Sequence, residues 1–134
     1  MYHKESWNYV FGLGSRATGT GVFSFARYDP GEGAPNREYL WLRRSVNVMV
    51  HEIGHMFGIR HCIYYECTMN GVMHGDEGTR RADHTLCPIC LKKLQCNIKF
   101  DPDKRFNKLI EVATKLNFET EVNFYAKLLS LIQN

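Results

Sequence analysis

Three histidines and four cysteines fall within forty residues at spacings that few folded arrangements satisfy: His51, His55 and His61, then Cys62, Cys67, Cys87 and Cys90. In the run HEIGHMFGIRH, His51 and His55 stand four apart. On a helix that interval stacks both rings on one face, where both imidazoles can reach one metal ion. A helix is expected here, because Leu42, Val46, Met49, Val50, Ile53 and Phe57 recur at helical intervals between Leu40 and about Phe57. Gly58 can take the left-handed conformation that ends such a helix. The chain can then turn sharply and return His61 as a third ligand from outside it.

Three neutral imidazoles leave a zinc ion its full positive charge and one open coordination position. A water bound there loses its proton more easily, and a carbonyl can be polarised at the same centre. Glu52 lies beside the first histidine and three residues before the second. Its carboxylate is placed to take the proton of that water and pass it to a leaving amine. The chemistry expected is hydrolysis of a peptide bond without a covalent intermediate. The five-residue HExxH pattern alone is a weak signal, and the third histidine after a glycine makes it a strong one.

The cysteines ask for something different. Cys62 and Cys67 form one pair, Cys87 and Cys90 a second, about twenty residues on. This is the spacing of a tetrahedral zinc site, in which four thiolates fill every position and leave no room for substrate. Such a site is a clamp. Cys62 directly follows His61, so the clamp is expected to hold the chain beside the third histidine and to pre-organise the open site. Two alternatives stand beside this one: disulfides among the same four residues, and a redox pair at Cys87/Cys90. The latter would want a strand-to-helix setting that the loop lacks. Cys96 has no partner by sequence and reads as an ordinary thiol.

Elsewhere the chain reads as packing. Residues 7–28 look like β structure, with GVFSFARY as a strand that either belongs to an ordinary sheet or pairs with an extended substrate. The Pro- and Gly-rich segment 29–38 reads as a loop, as do residues 59–86. CPICLKKLQC looks like a knuckle leading into a short helix. Asp101 is a helix cap with Pro102 at the first position and Phe106, Leu109, Ile110 and Ala113 on the inner face. A last helix runs from about Glu119 to Ile132, with Val122, Tyr125, Leu128, Leu129 and Ile132 inward. Trp41 is expected in the core. His74 and His84 read as solvated loop residues, with a contact to substrate as the competing role. Met69 reads as a core methionine.

Size and charge exclude some classes. The 134 residues fit one domain, 1–134. A formal charge of +3, spread over short Lys and Arg pairs, argues against nucleic acid as a partner. No apolar stretch reaches the roughly 20 residues of a membrane span, and the start lacks a signal peptide. A monomer acting on peptides in a reducing, intracellular and cytoplasmic setting is the expectation.

The run from His51 to Cys90 resembles the archaemetzincins, a branch of the metzincin clan of zinc metalloproteases. Their pattern, HExxHxxGxxHC, four residues, Cys, any residue, Met, seventeen residues and CxxC, is met at every fixed position by HEIGHMFGIRHC-IYYE-C-T-M, residues 70–86 and CPIC. The stretch ESWNYVFGLGSRATGTGVFSFARYD also looks like the family's approach to its active-site helix. The resemblance implies His51, His55 and His61 as ligands of a catalytic zinc and Glu52 as general base. It implies Cys62, Cys67, Cys87 and Cys90 as ligands of a second, structural zinc. It turns Met69 from a core residue into the apolar floor beneath the histidines. It implies an α/β (α+β) zincin domain with a small twisted sheet, an active-site helix, a zinc-clamped loop and C-terminal helices. Cleavage of small peptides, including aminopeptidase activity, goes with it.

One departure bears on activity. Metzincins usually carry further strands and a helix before the edge strand, whereas fifty residues precede His51 here. The chain is expected to be an N-terminally short form. A module that keeps both metals as structure but turns over no substrate is therefore the competing reading. A zinc-ribbon nucleic-acid binder is a more distant one, because it leaves the HExxH helix without a use.

Overall fold

The computed structural model describes residues 12–71 and 85–133. Its elements are strands β1 (Gly12–Ser15) and β2 (Thr20–Phe23), a 3-10 turn at Ala26–Tyr28, and four helices: α1 (Arg37–Met56), α2 (Pro88–Ile98), α3 (Pro102–Lys115) and α4 (Glu119–Ile132). The mixed α/β class follows the expectation. The chain gathers into two compact units, residues 1–91 and 92–134.

In the first unit, β1 and β2 form an antiparallel two-stranded sheet, with Gly12 opposite Phe23 and Ser15 opposite Thr20. Its glycines let the sheet lie close on α1. A side-chain carbon at Gly12 would meet Glu52 Cγ at 2.8 Å, and one at Gly14 would meet Met56 Cγ at 2.6 Å. The hairpin thus rests on the last two turns of α1, where the chemistry-bearing residues sit.

The β reading of residues 7–28 needs one correction. Residues 7–11 lie outside the described part, and GVFSFARY stays in a strand only as far as Phe23 before Ala26–Tyr28 wind into a 3-10 turn. Helix α1 starts at Arg37, three residues before the apolar periodicity begins. The reason is polar. Asp29 accepts hydrogen bonds from Arg37 Nε at 2.7 Å and from Arg37 Nη2, and from the Gly31 N–H at 3.0 Å. A forked ion pair ties the loop to the first turn.

Trp41 is not core. It is 36% exposed, gives its indole N–H to the Phe25 carbonyl at 2.8 Å, and borders an apolar cavity of about 420 Å³ with Phe25, Leu42, Val46 and Met49. Among the described residues the two-stranded hairpin covers only the C-terminal half of the apolar face of α1, and the periodic residues further up are half-exposed.

Helix α1 ends as the glycine predicts. Gly58 has φ of 79°, its N–H reaches the His55 carbonyl at 2.9 Å, and the Ile59 N–H reaches the Gly54 carbonyl at 3.1 Å. This paired closure reverses the chain and buries Ile59.

In the second unit, Asp101 caps α3 by accepting from the Lys104 N–H at 3.0 Å, with Pro102 at the first position, as expected. Asn117, in the left-handed region, closes α3 with the same pair of bonds seen at Gly58. Phe106, Ala113, Phe118 and Tyr125 are buried between α3 and α4. Ile132, expected inward, is 48% exposed at the fraying end of α4.

Candidate metal centre

Two turns of α1 carry His51 and His55 on one face, and the closure at Gly58 returns His61 to them. The His55 ring lies edge to face with those of His51 and His61, which are tilted by 33° to each other, and the centroids are 4.6–5.3 Å apart. One nitrogen from each lies within 4.8 Å of the others. Each helical histidine is oriented by a backbone carbonyl. His51 Nδ1 lies 2.7 Å from the Thr68 oxygen, and His55 Nδ1 lies 2.7 Å from the Ile59 oxygen. A carbonyl only accepts, so both Nδ1 atoms carry the proton and both Nε2 atoms hold a lone pair.

Those two lone pairs face each other at 3.0 Å. Between two neutral rings that approach is repulsive, and a shared cation relieves it. Two ligands of a tetrahedral zinc lie roughly 3.3 Å apart, for bonds of about 2.0–2.1 Å. The donor set fits zinc on this observation. Burial pushes the His51 imidazolium below its ordinary pKa, with smaller contributions in both directions from its neighbours, and the neutral ring is the ligating form.

Glu52 is half-buried, its stem against the backbone of β1. Met69 is fully buried beneath the helix, against Gly54 at close range. Any side chain at Gly54 would collide with the Met69 sulfur. The methionine therefore needs the glycine opposite it.

The four cysteines meet as a second group, with sulfurs within 4.8 Å of one another. Cys62 Sγ and Cys87 Sγ are 3.7 Å apart. A disulfide is about 2.05 Å, and sulfurs around a tetrahedral zinc lie roughly 3.8 Å apart for bonds of about 2.3 Å. All five cysteines are free, so the disulfide alternative is not what the structure holds. Backbone N–H groups point at the sulfurs: Met69 and Cys87 at Cys67, 3.4 and 3.3 Å away, and Cys90 at Cys87, 3.5 Å away.

Protons respond to this crowding. Burial alone would push the Cys62 thiol up, but the Tyr64 and Tyr65 N–H groups and the neighbouring cysteines bring it down to about 7. Burial, and then the charge of Cys67, pushes the Cys90 thiol up. Four sulfurs held together resist ionising together, and a dication is the partner that lets them do so.

Several residues that position the site escaped the sequence reading. Thr68 and Ile59 act through carbonyl oxygens, which carry no residue-type signal. Asn70, whose amide binds three backbone groups, has no motif of its own. His74 and His84 lie outside the described residues.

Comparison with known proteins places the chain. The model of Peptidase family M54 matches residues 2–96. An archaemetzincin-2 of Pongo abelii is 39% identical over 136 residues, covering 82% of this chain and 38% of that protein. An archaemetzincin of Thermococcus kodakarensis is 34% identical, covering 72% of this chain and 52% of that protein. The human archaemetzincin-1 is 28% identical, covering 81% of this chain and 27% of that protein. The chain thus spans about two-fifths of the length of the archaemetzincin-2 proteins it matches. No solved structure matches it. The resemblance drawn from the histidines and cysteines and the family match over most of the sequence agree, and the chain belongs to peptidase family M54.

Proposed function

We propose that the chain hydrolyses peptide bonds at a zinc ion held by His51, His55 and His61, with Glu52 as general base, and that Cys62, Cys67, Cys87 and Cys90 hold a second, structural zinc. The observation that carries the reading is the approach of His51 Nε2 and His55 Nε2 to 3.0 Å while both Nδ1 atoms face backbone carbonyls. Zinc bound there supplies a Lewis acid that acidifies water and polarises a carbonyl. Thr68 and Ile59 keep the Nδ1 protons in place, so Nε2 stays free for the ion. Glu52 accepts the proton of the attacking water and delivers it to the nitrogen that leaves. The hairpin over Glu52 keeps its stem against β1.

Small peptides are the substrates of this reading, with aminopeptidase action among the outcomes to be measured. The free thiols suit a reducing compartment, in line with a cytoplasmic peptidase. Among the described residues no helix is long and apolar enough to cross a membrane. The reading takes 1–134 as one domain acting as a monomer.

The test is zinc content and hydrolysis of a peptide library for the native chain and for Glu52→Gln. Two zincs per chain, with hydrolysis that falls about 10²–10⁴-fold in the variant, is the expected result. Two zincs with no hydrolysis by either would leave a zinc-bearing interaction module. One zinc per chain would overturn the account of the cysteines.

A further inference from the structure

Residues 67–71 touch both metal groups in five consecutive positions. Cys67 belongs to the thiol group. The Thr68 carbonyl accepts from His51 Nδ1 at 2.7 Å, and its N–H donates to the Thr85 carbonyl at 2.9 Å. Met69 fills the space against Gly54, and its carbonyl takes the Cys62 N–H at 2.7 Å. The backbone at Gly71 lies against the His61 ring: a side-chain carbon there would be 3.0 Å from Nδ1 and 3.2 Å from Cγ. A small shift of this strip would therefore move the partner of one histidine and the wall behind another.

Asn70 holds the strip. Its Nδ2 donates to the Cys62 carbonyl and to the Tyr65 carbonyl, both at 2.8 Å. Its Oδ1 accepts from the Cys67 N–H at 2.9 Å. One amide thereby closes the whole 62–67 loop onto the segment that follows it. This needs two donors and an acceptor on one short side chain, which only asparagine supplies at this reach. Aspartate would keep the acceptor and lose both donors.

We propose that Asn70 is a positioning residue that couples the two metal groups, setting His51 through the Thr68 carbonyl and His61 through the Gly71 backbone. This rests on the reading that the three histidines hold zinc. Once metal is bound, four metal–sulfur bonds pin the cysteines without help from the amide. The histidines lack that redundancy, because Thr68 reaches His51 through a single hydrogen bond. Loss of Asn70 is therefore felt at the histidines more than at the cysteines.

The experiment titrates the full chain with Co²⁺, whose sulfur-to-metal charge-transfer absorption marks the thiolate group and is absent from a site of nitrogen ligands. In Asn70→Ala the histidine site is expected to lose about 10–100-fold in affinity, the usual effect of removing an outer partner of a ligand. The thiolate site stays within a few-fold of native. Asn70→Asp, which keeps one of three bonds, loses less in the same direction and serves if the alanine variant does not fold. Equal losses at both sites, or an unchanged histidine site in both variants, would overturn the inference. A native chain that takes up cobalt with the thiolate signature alone would instead overturn the histidine reading, and this inference with it.

Discussion

The two groups of ligands share a loop and differ in almost every physical respect. Three of the four cysteines are buried, the fourth is partly so, and every sulfur has others of its kind around it. The histidines are half-buried or exposed, and His61 faces solvent. Four anionic ligands saturate a zinc ion and cancel its charge, while three neutral ones leave both charge and a coordination position. The closed group can therefore contribute stability but little chemistry, and the open group the reverse. On the proposed reading, their adjacency at His61–Cys62 would let the closed group lend the open one a rigidity that three ligands alone do not generate.

That division is easiest to break at Cys87. Structural zinc contributes on the order of 10 kcal/mol to the folding of small zinc domains. Cys87→Ser, which removes one of four thiolates, is expected to be the most damaging single change in the first unit. Zinc analysis and thermal melting should show the clamp ion lost, a sharply lower melting temperature, and histidine-bound metal weakened about 10–100-fold. Full histidine occupancy in a chain without the clamp would show that the two groups are merely neighbours.

Gly54→Ala probes the floor between them. The added carbon would run into the Met69 sulfur, which is fully buried and has no free space to enter. Overpacking of this kind typically costs about 1–3 kcal/mol. Chemical denaturation of Gly54→Ala should show a loss in that range, and the double variant Gly54→Ala/Met69→Leu should recover part of it if the clash is the cause.

How far the sequence could be read follows the same line between side chains and backbone. The helix, its glycine stop, the cap at Asp101 and the gathering of the three histidines and of the four cysteines were legible, because each depends on residue type at a fixed interval. Helix α1 began three residues early because Asp29 and Arg37, eight positions apart, meet as an ion pair that no local periodicity announces. The strand ran short because Ala26–Tyr28 turn under the Trp41–Phe25 hydrogen bond, a contact across sixteen residues. Trp41 reads as a core residue, whereas its indole N–H bonds the Phe25 carbonyl and its side chain stays 36% exposed. The carbonyls of Thr68 and Ile59 were invisible in principle, since any residue carries one.

His61→Ala separates the two groups from the other side. The residue is exposed and makes no part of the buried core, so unfolding without added zinc should move by no more than about 0.5 kcal/mol. Hydrolysis should be lost, and the thiolate ion should remain. A large loss of stability would mean that the open group also carries folding energy, and the contrast drawn above would weaken.

The smallest effect is expected far from both groups and serves to separate their acid sensitivity from that of the scaffold. The Arg37 side-chain hydrogen bonds, with help from the Gly31 N–H, hold the Asp29 carboxyl at about 2, below its ordinary 3.8. A folded-state value below the unfolded one means the pair stabilises the fold above the ordinary value. That contribution fades as pH falls from there through about 2. The pair is only half-buried, so water and salt screen it and the slope it adds is shallow. Arg37 is fourteen residues before His51, roughly 20 Å along the helix, and Arg37→Met leaves both ligand sets in place. NMR titration of Asp29 in that variant should give a value near the ordinary one, and the stability difference between native and variant should vanish below about pH 2. Acid loss that the two chains still share above that pH, beyond the shallow part from Glu111 paired with Lys108 and Lys115, then belongs to protonation of the metal ligands. If instead the variant releases its histidine-bound metal at a different pH from the native chain, the start of α1 and its metal-bearing end are coupled, and the open group owes its geometry to more than the clamp beside it.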